Sequence, residues 1–170
     1  MTPRILVACV GNIFLGDDAF GVEVAQRLAR RTLPEAVRVV DFGIRGFDLA
    51  YALMDDYESV ILVDAVPRGG APGTLYAIEA DLDSIDAPVS GQAMVETHGM
   101  NPLKVLAMVK AMGGQRKRVL VVGCEPSAAD EDEERMGLSE PVVAAMDEAV
   151  RMIESLIDKL LAGARIASAP

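Results

Sequence analysis

The stretch Ser59–Ile78, "SVILVDAVPRGGAPGTLYAI", decides the fold. Ser59–Ala65 is apolar without two-residue alternation, the mark of a strand buried on both faces in a helix-covered parallel sheet. Eight residues, "VPRGGAPG", separate it from the next β-prone segment, Thr74–Ile78. That connection is too short for the helical crossover that joins parallel strands. The strand near Thr74–Ile78 is therefore expected to run antiparallel, at an edge of the sheet.

Outward from this stretch, strands and helices alternate. Arg4–Val10 ("RILVACV"), Val37–Phe42 ("VRVVDF") and Arg118–Gly123 ("RVLVVG") repeat the continuous apolar pattern. Between and after them run helical stripes: Val22, Ala25, Leu28 and Ala29; Val105, Met108, Val109 and Met112; and Val142, Met146, Val150, Ile153, Ile157 and Leu160. The methionines fill gaps in these stripes. The spacing predicts a three-layer α/β/α domain over residues 1–161, with a mostly parallel, twisted five-stranded sheet and one antiparallel edge strand. Asp81–Ser90 and Ala128–Arg135 read as loops, the acidic run Asp130–Glu134 as a solvated one, and residues 162–170 as a disordered tail.

The 170 residues are 51% apolar and 25% charged, a globular balance, and no apolar run approaches the ~20 residues of a membrane helix. The N-terminus enters a strand pattern with no leader-like cleavage region, so the cytoplasm is the expected location and no membrane partner is expected. Two cysteines in or beside strands suggest no disulfide framework. A net charge of −10 argues against nucleic acid and suits cations or a neutral or basic polypeptide.

In parallel sheets, function collects at the carboxyl ends of strands where the strand order reverses. Four strand-end loops there hold Gly11, Asn12, Asp17 and Asp18; the "GIRG" loop Gly43–Gly46; Asp64; and Cys124 with Glu125. His98, the sole histidine, lies in "ETHGMNP" before a helix that Asn101 and Pro102 are placed to open. Each has a structural reading: Asp17 as N-cap of a helix near Ala19, Asp18 as a first-turn acid, Asp64 as an acceptor for loop amides. With strands in 2-1-3 order, however, the first-loop aspartates and Asp64 converge. Paired carboxylates raise one another's pKa unless a cation lies between them. With His98 the set becomes two oxygens and one imidazole, an open site suited to Zn²⁺ or Ni²⁺ more than Mg²⁺ or Ca²⁺.

Competing chemistries lack their parts. "GNIFLGDDAFG" has no GxGxxG spacing, and neither a G-x-S-x-G elbow nor an H-E-x-x-H helix occurs. A Cys124–His98 dyad is open geometrically, though Cys124 after an apolar strand also reads as a small buried residue. The alternative from another class is a Mg²⁺-dependent phosphoacceptor receiver domain. Against it, the acids lie several residues past the first strand and no lysine follows the last strand in "GCEPS".

"GNIFLGDDAFGVEV" (Gly11–Val24), "ILVDAV", the His98 loop, "GCEP" and "GLSEPV" (Gly137–Val142) resemble, in order, the hydrogenase maturation proteases from Ile5 to about Leu160. The resemblance implies an endopeptidase that trims the C-terminal extension of the [NiFe] hydrogenase large-subunit precursor once nickel is inserted. It implies Asp18, Asp64 and His98 as metal ligands, with Asp17 capping, orienting or accepting a proton. The catalytic set is then Asp17, Asp18 and Asp64. The implied nickel is carried by the precursor, with Zn²⁺ or Cd²⁺ as surrogates in the isolated protein, which is expected to be a monomer. Departures from the family pattern are Cys9 in place of glycine, Asp18 in place of glutamate with Gly21 allowing closer backbone approach, Ile44 in place of threonine, and "HGMNP" after the histidine. The Ile44 loop is the expected isoform selector, with Arg45 available to the substrate.

Overall fold

A computed structural model describes residues 4–81, 102–111, 117–127 and 136–163. The elements run β1 (Ile5–Val10), a 3-10 turn (Gly16–Ala19), α1 (Phe20–Leu28), β2 (Val37–Gly43), α2 (Gly46–Leu53), β3 (Ser59–Ala65), β4 (Leu75–Glu79), α3 (Pro102–Ala111), β5 (Arg118–Cys124) and α4 (Glu140–Leu161). They build one sheet of order β2-β1-β3-β5-β4. β1 pairs in parallel with both β2 and β3, and β3 in parallel with β5. β4 alone is antiparallel, against β5 at the edge, as the short connection after Ala65 requires.

Both faces of the sheet are covered. Odd-numbered residues of β1 and β3 (Ile5, Val7, Ile61, Val63) join Phe20, Val24 and Leu28 of α1 and the apolar stripe of α4 in one core layer. Even-numbered ones (Leu6, Ala8, Val60, Leu62) meet Leu49 and Leu53 of α2 and Val105, Leu106 and Val109 of α3 in the other. That two-sided burial is why β1 and β3 carry no polar alternation. Met146 is wholly enclosed, and each such large apolar side chain contributes about 1.5–3 kcal/mol. β2 is less buried than its apolar run suggests, because it lies at the other edge and turns Arg38 and Asp41 to solvent.

Two elements depart from the periodicity reading. α2 is a helix within "GFDLAYAL", where apolar residues fall on every side and leave no stripe to read. The approach to α1 is a separate 3-10 turn over Gly16–Ala19. Of the expected loops Asp81–Ser90 and Ala128–Arg135, residues 82–90 and all of 128–135 lie outside the described residues, as do Met112, His98 and the tail from 164.

Candidate active site

The strand order reverses between β1 and β3, since β1 leads to β2 on one side and to β3 on the other. α1 seats closely over this crevice because residue 21 is glycine. A Cβ there would lie 2.1 Å from the carbonyl oxygen of Val10 and 2.5 Å from that of Val63, on the two strands that flank the crevice. Gly11 has the matching role, since a Cβ on it would lie 2.1 Å from the Asp18 carbonyl oxygen.

Asn12 organises the loop between these glycines. Its backbone N–H donates to Asp18 Oδ2 at 3.0 Å and to the Asp18 carbonyl at 3.2 Å. Its side-chain oxygen accepts from Phe14 N–H at 2.9 Å, an Asx turn. The loop is joined to its neighbour by Gly11 N–H donating to Gly43 O at 3.0 Å.

Asp18 and Asp64 lie at the crevice within electrostatic reach of each other. Asp64, at the end of β3, is pushed up to about 8, chiefly by burial and then by the charge of Asp18, with the Ala65 amide opposing. Asp18 is raised by burial, against the Asn12 amide. The expected convergence of a first-loop aspartate with Asp64 is thus present, and the 2-1-3 order that produces it is the observed one. Two carboxylates within electrostatic reach are relieved by a proton or by a cation. Among the described residues no three acidic, histidine or cysteine side chains cluster closely enough to hold a metal. His98 lies outside them.

Asp17 points elsewhere. Its Oδ1 accepts from Ser139 N–H at 2.7 Å, and its Oδ2 from Ser127 N–H and Ser139 Oγ–H, both at 2.8 Å. The expected N-cap role is corrected: no side chain caps α1, and Asp17 sits inside the 3-10 turn with its carboxylate on the loop after β5 and the start of α4. Ser139, at the N-cap position of α4, makes no side-chain cap to its own helix because its hydroxyl serves Asp17.

Other edge residues are structural. Glu125 accepts from the amides of Arg68 and Gly69 at 2.8 and 2.9 Å and from Tyr76 Oη–H at 2.8 Å. The Arg68 amide, followed by Tyr76 and the Gly69 and Gly70 amides, holds its carboxyl below the usual range despite burial. It thereby clasps the β3–β4 connection. No sequence motif signals this role, because most of its donors are backbone amides. Cys124 is buried, and burial, then Asp17 and Glu125, push its thiol up to about 11, away from nucleophile chemistry. Burial drives Cys9 up as well. Arg45, expected to reach a substrate, folds back onto its own loop: it donates to the carbonyls of Phe42 (3.2 Å) and Asp41 (2.5 Å) and pairs with Asp48 at 3.2 Å.

The described elements form a doubly wound sheet with two acidic residues, Asp18 and Asp64, at its switch point. Residues 22–156 match the hydrogenase maturation protease family model, and the chain belongs to that family. It is 32% identical over 164 residues to the hydrogenase 2 maturation protease of Escherichia coli, covering 95% of this chain and 91% of that protein. The hydrogenase maturating endopeptidase HybD of Escherichia coli superimposes with a TM-score of 0.72 at 27% identity, over 92% of this chain and 93% of that one. The hydrogenase 2 maturation peptidase of a Thaumarchaeota archaeon gives 0.66 at 34% identity, over 91% and 97%. The chain is an endopeptidase of hydrogenase maturation, and the receiver-domain alternative is set aside. No helix among the described residues is long and apolar enough to cross a membrane.

Proposed function

We propose that the protein removes the C-terminal extension of a [NiFe] hydrogenase large-subunit precursor after nickel insertion, reading the metal through Asp18, Asp64 and His98. The observation that carries this is the pairing of Asp18 and Asp64 at the β1/β3 crevice, a burdened carboxylate pair that a cation relieves. The donor set fits a borderline divalent metal: two carboxylates, with an imidazole from His98. Nickel belongs to the precursor, and Zn²⁺ or Cd²⁺ would occupy the same residues in the isolated protein. A bound metal supplies Lewis-acid polarisation of a carbonyl or of water.

The chain's own residues then have distinct tasks. Asp18 and Asp64 hold the cation and place the substrate segment that carries it over the crevice. Asp17, with both oxygens engaged, is a positioning residue that fixes the turn bearing Asp18, rather than a proton acceptor. The protein works as a cytoplasmic monomer that meets a large polypeptide briefly.

The test is cleavage of nickel-loaded and nickel-free precursor side by side. Cleavage of the loaded form alone is expected; equal cleavage of both refutes nickel sensing, and cleavage of neither refutes the substrate. His98→Ala should abolish Zn²⁺ uptake while the circular dichroism spectrum stays unchanged, and retained affinity removes His98 from the site.

A further inference from the structure

The loops beside the Asp18–Asp64 crevice carry large apolar side chains that the fold does not use. Phe14 is 57% exposed, Ile44 59%, Phe47 59% and Tyr51 68%, and Ile13 is also exposed. Scattered exposed apolar residues are ordinary, but these are concentrated on two neighbouring strand-end segments. Ile13 and Phe14 lie between Asn12 and Asp18. Ile44 lies in the turn after β2 and Phe47 and Tyr51 one helical turn apart on α2, while Leu49, Ala50 and Leu53 form the buried side of that helix. The Gly11–Gly43 hydrogen bond joins the two segments.

The presentation is built into the backbone. The Asx turn of Asn12 and the N–H of Leu15 donating to Asn12 O at 3.2 Å fix the turn that carries Phe14 outward. Within a chain of net charge −10, residues 11–16 carry no charge, and the charges of Arg45 and Asp48 are spent on each other. The fold therefore leaves an apolar, locally uncharged surface open to solvent in an acidic chain.

We propose that this surface binds an apolar, uncharged segment of the polypeptide substrate, adjoining the bond to be cut. The occupant follows from the class of enzyme: an endopeptidase lays an extended chain across its site, and Phe14 shares a seven-residue loop segment, Asn12–Asp18, with a crevice carboxylate. The proposal deepens the functional reading above and rests on its substrate. It also reassigns the contact expected of Arg45 to the apolar residues on either side of it, Ile44 and Phe47.

The experiment uses Phe14→Ser and Phe47→Ser with nickel-loaded precursor, measuring both binding and cleavage. Each variant should raise KM and Kd about tenfold, as removal of an anchor side chain does, with kcat held within about twofold and an unchanged melting curve. Val143→Ser, at an equally open apolar position on α4, should change neither constant. A photo-reactive phenylalanine analogue at Tyr51 should crosslink to the precursor. Unchanged KM and Kd in both variants overturn the proposal, as does wild-type self-association that the variants abolish, which would make the occupant a second copy. Weakened precursor binding without cleavage by the wild type would sustain the docking surface and refute the functional reading instead.

Discussion

Asp17 and Ser139 lie 122 positions apart and are joined by two hydrogen bonds, from Ser139 N–H at 2.7 Å and from its hydroxyl at 2.8 Å. With Ser127 N–H as third donor, one carboxylate fastens the loop after β1 to the loop after β5 and to the start of α4. Asp17→Ala leaves two amides without their acceptor and should cost about 2–4 kcal/mol. In a chain of this size that is a fall of roughly 5–15 °C in Tm, read by calorimetry. A loss below about 1 kcal/mol would show that the clamp is not holding these segments.

Gly21→Ala should be far more damaging than its one methyl group suggests. The added Cβ would meet backbone oxygens of both β1 and β3, which have no side-chain freedom with which to yield. A loss above about 3 kcal/mol or insoluble expression is expected. Gly69→Ala is the control: nothing lies within 4 Å of its Cβ, and only its φ of +82° resists, at about 1 kcal/mol.

Asp64 gives the chelator-treated protein a pH dependence of definite sign. The folded state holds the Asp64 proton more tightly than the unfolded chain, so the resulting stabilisation is complete below the unfolded value near pH 4. It is lost as pH climbs toward about 8. Urea unfolding should show stability falling across that window by an amount on the order of 2 kcal/mol after solvent screening. Asp64→Asn should flatten the curve. Asp18→Asn, which removes the neighbouring charge, should lower the upper end of the window.

Metal uptake should carry the opposite signature, because a cation displaces the shared proton. Zn²⁺ should bind more tightly at pH 8 than at pH 6 by calorimetric titration, releasing protons as it does. Equal affinity at both values would mean that Asp64 is not a ligand.

Cys124 should resist alkylation by iodoacetamide in the native protein at pH 8, since its thiol is buried and pushed up to about 11. Cys124→Ala should cleave precursor at close to the wild-type rate. A loss of more than about tenfold would reinstate a cysteine mechanism.

The sheet was legible in the sequence because its signals are local. Uninterrupted apolar runs mark β1, β3 and β5, and the eight residues after Ala65 are too few for a crossover, so β4 had to run antiparallel. α2 was hidden because "GFDLAYAL" is apolar on every side. The convergence of a first-loop aspartate with Asp64 followed from strand order and residue type. Which aspartate converged did not follow from them, and only the family resemblance pointed to Asp18: in a 3-10 turn successive side chains diverge by about 120°. Asp17 and Asp18 are chemically identical neighbours, and their difference is made by Ser127 and Ser139 on one side and Asp64 on the other. The sequence by itself determined the elements other than α2 and the 3-10 turn, the antiparallel edge and the acids at the switch point. Only the tertiary structure showed what each aspartate touches, because the partners that distinguish them lie more than 40 positions away and meet them only in the folded chain.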